Sequence, residues 1–142
     1  SIILDFKITL NKLDNMYKKI NWESVPTEIV NSKMERKLVY GDKIMVARMK
    51  IKDGFRVPLH RHHHEQITQV ISGTMRFWLG ENREETLELS GGDVLVIPSD
   101  LPHEALMVGD VEEMDIWTPL REDWLDGSDN YLRNDDGSGT KK

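Results

Sequence analysis

The sequence predicts an all-β chain folded as one sandwich or barrel. Three observations carry this. Short segments rich in Val, Ile, Leu, Thr and aromatic residues recur through the interior of the chain, turn signals separate them, and 142 residues hold one hydrophobic core with no comfortable room for a second.

Taken in order, residues 4–20 mix apolar and charged positions and read as an arm with a short helix around residues 13–19. The clearest strands follow at residues 43–51, 66–72, 74–79, 85–89, 93–97 and 111–117. Between them stand Tyr40-Gly41-Asp42, Asp53-Gly54, Ser72-Gly73, Gly80-Glu81-Asn82, Ser90-Gly91-Gly92 and Gly109-Asp110. Glycine accepts a positive φ and Asn or Asp tolerates one, so each is a place to reverse the chain. Beyond Pro119 the sequence turns acidic and polar, and residues 134–142 have the composition of a disordered tail. The division that results is an N-terminal arm (1–30), a β-barrel (31–118) and a C-terminal segment with its tail (119–142). No period of 20–50 residues repeats.

A net charge of −6 and the lack of a dense Lys/Arg stripe argue against a nucleic-acid partner, which needs clustered positive charge against phosphates. A small anionic molecule stays open, because local charge at a site can oppose the global sign. With no cysteine, a transition-metal site must be built from His, carboxylate or amide ligands. The apolar run at residues 1–4 is far below the roughly 20 residues that span a bilayer. The expectation is a cytoplasmic protein without a membrane partner.

The five histidines concentrate the chemistry. His60, His62, His63 and His64 lie in one run, and His103 follows Pro98 and Pro102. In an extended segment side chains alternate faces, so His60 and His62 can reach one ion from one side. Gln66 shares their parity, and Glu65, of opposite parity, is the alternative ligand. The competing explanation, a solvated surface cluster or a tag, fits poorly with an internal run set between a turn and a strand. His63 reads as solvated at a barrel mouth, and His64 as a candidate for substrate contact.

These residues resemble the two motifs of the cupin family. The first appears as Gly54, His60, His62, then Gln66 where the family has Glu, and Gly73; the second as Gly92, Pro98, Asp100 where the family has Gly, and His103. The resemblance implies a single-domain cupin, a double-stranded β-helix or jelly-roll barrel, with one divalent transition metal ion held by His60, His62, Gln66 and His103. Three nitrogens and one amide oxygen suit Zn, Ni, Mn or Fe. Replacing a carboxylate by Gln66 leaves the ion its full charge, which favours Lewis-acid work over O2 activation.

From about Trp22 to Arg133 the chain also resembles the KdgF branch of the cupins. The late Asp-x-aromatic-x-Pro-x-Arg-Glu-Asp-Trp-Leu segment, here Asp115 to Leu125, carries that likeness. Many relatives have Phe where Trp117 stands, and the bulkier indole would narrow the pocket. The branch implies ring opening of 4,5-unsaturated uronates to linear keto acids, a lyase- or isomerase-type reaction of pectin and alginate breakdown. Asp115 would move a proton, and Arg121 would orient the substrate acid or hold Asp115 ionised. Trp117 would wall the sugar ring, while Arg48, which interrupts an apolar strand, is a further candidate for the substrate carboxylate. A metal-dependent dioxygenase and a non-catalytic binding module are the alternatives. A homodimer is expected, with the arm covering a partner's sheet edge.

Overall fold

The computed structural model describes residues 16–133. A 3-10 turn at Trp22–Ser24 precedes eight strands: β1 (Glu28–Asn31), β2 (Met34–Tyr40), β3 (Met45–Ile51), β4 (Arg56–His60), β5 (Glu65–Leu79), β6 (Glu85–Ser90), β7 (Val94–Ile97) and β8 (His103–Thr118). Two short helices, α1 (Glu122–Asp126) and α2 (Asn130–Arg133), close the described chain. All pairings are antiparallel.

The architecture rests on two long strands that bend. The first half of β5 pairs with β7, and the second half of β8 with β3, which continues into β2 and β1. The second half of β5 pairs with β6, and the first half of β8 with β4. Because β5 and β8 also pair with each other along their length, they belong to both sheets and fold one over the other. The bend falls where the register slips on either side of Ser72, opposite Gly109 and Asp110. Gly73 has φ 87° there, and a Cβ on it would sit 2.3 Å from the carbonyl oxygen of Asp110, so no side chain fits.

This corrects two details of the sequence reading. Ser72-Gly73 and Gly109-Asp110 are bends inside continuous strands, since a bulge uses the same residues as a turn. β1, β2 and β4 were not among the clear strands, because Arg36, Lys37, Arg56 and Pro58 interrupt their apolar pattern. β1 begins inside the segment assigned to the arm. Residues 16–19 form no helix, and the rest of the expected helix, like the expected tail, lies outside the described residues.

Inward positions alternate along each strand, and Met34, Met45, Met49, Met75, Met107, Phe55, Phe77 and Ile97 fill the space between the sheets. The unbranched methionines fit an irregular interior. α1 and α2 pack onto this core through Trp124 and Leu132, 5% and 1% exposed, so the C-terminal segment is part of the fold. Arg36 locks it down: buried beneath Trp124, it pairs with Glu28 and Asp129, both at 2.7 Å.

Candidate metal centre and proton-transfer site

His60 ends β4, His62 lies in the loop that follows, Gln66 is the second residue of β5, and His103 opens β8. The β4–β8 ladder sets His60 directly opposite His103, with ring centroids 4.2 Å apart. The two loops are latched together by the Asp100 N–H, which donates to the His62 carbonyl at 2.8 Å. Asp100 takes φ 64° to do so, which explains why glycine suits this motif position and aspartate is tolerated there.

Each ring is oriented the same way. His60 Nδ1 lies 2.8 Å from the Pro58 carbonyl, His62 Nδ1 3.1 Å from that of His64, and His103 Nδ1 2.8 Å from that of Leu101. A carbonyl only accepts, so each Nδ1 carries the proton and each Nε2 keeps a lone pair. The three histidines bring one ligand atom each to within 4.8 Å of the others, and His103 Nε2 is buried without a partner. All three imidazoles are held below their ordinary range, first by burial. His103 and Arg121 add to this for His60 and His62 respectively, and His62 falls to about 4. At neutral pH the rings are therefore neutral, the state that ligates metals.

Gln66 completes the set. The Trp117 indole N–H donates to Gln66 Oε1 at 2.8 Å, and Gln66 Nε2 donates to Thr68 Oγ1 at 2.9 Å, so the amide can point only one way. Its oxygen then lies 3.0 Å from His62 Nε2, two lone pairs facing each other. That contact is repulsive unless a cation lies between them, and it is the spacing of two ligands of one ion. The donor set thus fits a divalent metal. Glu65, the alternative ligand, is exposed on the outer face.

Below the imidazoles a cavity of about 40 Å³ continues into the barrel between Thr68, Asp115, Glu113 and Trp117. Above them opens a mouth of about 660 Å³, lined by His60, His62, His63, His64, Arg121 and Tyr131 among others. His64 is buried in its wall, with Nε2 3.1 Å from the Leu120 carbonyl and Nδ1 unpartnered. His63 is exposed and stacks on His64 at 4.0 Å.

Asp115 faces inward and is 5% exposed. Burial pushes its carboxyl up to about 6, against hydrogen bonds from Glu113 and Thr68 and the charge of Arg121. Glu113, two residues away on the same face and 3% exposed, is pushed well above the usual carboxylate range by burial and by Asp115. The sequence reading passed over Glu113, although its parity with Asp115 and Trp117 was the available signal.

The other three expected residues each have a defined partner. Arg121 Nε and Nη2 grip Asp123 at 3.0 and 2.9 Å, and Nη2 also donates to the Tyr131 hydroxyl at 2.9 Å. Its direct carboxylate partner is therefore Asp123, and it reaches Asp115 through charge alone. Trp117 is 1% exposed, and its polar edge orients Gln66. Arg48 points away from the barrel interior, pairs with Glu112 at 3.0 Å and lies over Trp22, lining a separate surface pocket. An outward parity on β3 rules out contact with the metal centre.

A β-barrel with three inward imidazoles and an oriented amide defines a metal-binding jelly roll. Residues 47–117, half of the chain, match the Cupin domain family, and the chain belongs to it. Among solved structures it is similar to KdgF from Halomonas sp., with 29% identity and a TM-score of 0.66 over 74% of this chain and 96% of that one. It is also similar to an RmlC-like cupin from Shewanella frigidimarina (20% identity, TM-score 0.70, 76% and 96% covered). The polyketide cyclase RemF from Streptomyces resistomycificus is a third likeness (18%, 0.62, 72% and 79%). The last two likenesses show the fold. No curated protein matches the chain. Among the described residues no helix is long and apolar enough to cross a membrane.

Proposed function

We propose that this cupin is a metal-dependent enzyme that opens the ring of a small acidic sugar, a 4,5-unsaturated uronate, to give a linear keto acid. The observation that carries the reading is the continuity of one path. A mouth and an inner cavity share His60, Arg121 and Tyr131 as walls, so the neutral ligand set, which a bound divalent ion would make cationic, lies between the mouth and a buried carboxyl able to exchange a proton. The likeness to KdgF from Halomonas sp. supports the choice of substrate class. The mouth, at about 660 Å³, is within the usual range for small-ligand sites.

A bound divalent ion, held by His60, His62, Gln66 and His103, would supply fixed positive charge for the substrate carboxylate and a neighbouring oxygen. Asp115 does the proton work. It takes the proton of the anomeric hydroxyl as the C1–ring oxygen bond breaks, leaving an aldehyde at C1 and an enolate at C5. It returns that proton to C4, and the C5 oxygen becomes a ketone. Substrate and product are isomers, so no redox partner or second reactant is needed. Arg121, buried in the mouth and rigidly held by Asp123 and Tyr131, offers an oriented positive charge to the incoming acid. His64 borders the same space.

The test is direct. Purified protein is mixed with an unsaturated uronate monosaccharide, and the ultraviolet absorbance of the conjugated double bond is followed with and without chelator. Chelator-sensitive loss of absorbance is expected; no acceleration over buffer by metal-loaded protein removes the reading. Oxygen uptake would favour the dioxygenase, and binding without turnover the non-catalytic module. The homodimer is part of the same proposal, and light scattering decides it.

A further inference from the structure

We propose that Glu113 is a positioning residue: a neutral carboxylic acid which, together with the Thr68 hydroxyl, aims the Asp115 carboxylate and keeps it ready to accept a proton. The catalytic half of this inference rests on the ring-opening reading above, whereas the protonation of Glu113 stands independently of it.

The argument begins with β8. Glu113, Asp115 and Trp117 occupy alternate positions and all face inward, 3%, 5% and 1% exposed. Two carboxyls side by side inside a methionine-rich barrel cannot both be ionised without a cation between them. Among the described residues no cation pairs with them directly, and Arg121, which lines the same cavity, acts on Asp115 through its charge alone. The Arg121 guanidinium is committed to Asp123 and Tyr131, and that of Arg36 to Glu28 and Asp129. The remaining titratable groups on the cavity wall are His60 and His103 from β4 and β8, both neutral, and Tyr131 from α2; β2 and β3 contribute Met34, Met49 and Ile51. Side by side on one buried face of β8, the two are reconciled only by a hydrogen bond between them. A carboxylate has no proton to donate, so one of the two must be an acid.

Thr68 decides which. Its oxygen accepts from Gln66 Nε2 at 2.9 Å, which leaves its own O–H to donate, and its register partner across the β5–β8 ladder, on the same inner face, is Asp115. Asp115 therefore collects donors and is the ionised member, while Glu113 carries the proton. In the β5–β8 register Asp115 is opposite Thr68 and Gln66 is opposite Trp117, one inward position further on. One oxygen of each carboxyl, Asp115 Oδ1 and Glu113 Oε2, is buried with no partner. Asp115 Oδ1 is thus the lone pair available to substrate. In the reaction proposed above, Asp115 gains one proton and gives it back while the proton of Glu113 stays in place, so the pair cycles between one and two protons and never carries two negative charges.

Infrared spectroscopy of the whole protein tests the first half without substrate. The carbonyl band of a neutral carboxylic acid should be present at pH 7 in the wild type and missing in Glu113→Gln. A wild type lacking the band, or a Glu113→Gln protein retaining it, overturns the assignment. The pH profile of ring opening tests the second half. Gln keeps an N–H donor without a charge, so Glu113→Gln should leave the acid limb where it is. Thr68→Val and Glu113→Leu remove a donor and should each move the limb up by about one unit, a tenfold loss at the original midpoint. An acid limb that falls in Glu113→Gln shows that Glu113 was charged, and an unmoved limb in Thr68→Val shows that the hydroxyl does not support Asp115; either result overturns the proposal. A wild type without ring-opening activity ends the functional reading, and the infrared band still decides the proton.

Discussion

Strand β8 buries carboxyls in two regions and compensates them in opposite ways. On the outer face of its first half Glu104, 5% exposed, receives Arg56 at 2.6 Å and Arg83 at 2.5 Å, with Arg56 also lying over Trp78. On the inner face of its second half Glu113 and Asp115 form no ion pair and have each other and Thr68, opposite Asp115 in register, as polar neighbours. The same residue type on one strand is a fixed anchor where cations meet it and a proton-exchanging group where they do not. The buried Arg36–Asp129 pair belongs with the first kind. The metal centre belongs with the second, since its unpartnered His103 Nε2 is also a polar atom left open inside the barrel.

The largest effect expected from this contrast is at Asp115. Asp115→Asn should retain the metal and lose about 10²- to 10⁴-fold in turnover, the usual contribution of a general acid or base. Retained activity would remove Asp115 from the mechanism. The same variant reports on stability. Folding raises this carboxyl from 3.8 to about 6, so the native state binds the extra proton and loses stability as pH rises through that window. Asp115→Asn should therefore melt higher than the metal-free wild type at pH 7, by roughly 2–3 kcal/mol, with the gain gone below about pH 4.

Arg36→Ala should go the other way. It leaves buried Asp129 with Arg133 as its guanidinium partner and removes the contact over Trp124, a loss of about 3 kcal/mol in denaturant unfolding. A loss under about 1 kcal/mol would mean that the C-terminal helices are held by packing alone. Trp117→Phe deletes the N–H that orients Gln66, and metal affinity should fall about 10- to 100-fold with the fold intact. The smallest effect is at Glu104. Glu104→Gln should destabilise by about 1 kcal/mol, because Arg56 and Arg83 are partly solvated and can rehydrate. Opposite signs for Asp115→Asn and Glu104→Gln at pH 7 are the signature of the two kinds of buried carboxyl.

Much of the metal set was legible because its signal is local. His-x-His spacing, Gln66 on the same parity and a turn with prolines before His103 specify ligands within short stretches, and the fold follows from strand-and-turn punctuation. Residues whose meaning depends on register were not legible. Arg48 in the middle of β3 and Arg121 just beyond β8 both offered a guanidinium for a substrate acid, yet one meets Glu112 on the outer surface and the other Asp123 in the mouth. Glu113 was passed over, because only the inward phase of β8 separates it from Glu112. Arg36 finds Asp129 across 93 positions of sequence, beyond the reach of any spacing rule.

The account stands on one ion bound by three Nε2 atoms and the Gln66 oxygen. Calorimetric titration of the metal-depleted, untagged protein with zinc and with manganese, beside His103→Ala, measures this most directly. One equivalent should bind tightly to the wild type for at least one of the two ions, and His103→Ala should abolish that binding. A wild type that takes up neither ion, or a His103→Ala protein that binds as tightly as the wild type, would contradict the metal centre and the chemistry built upon it.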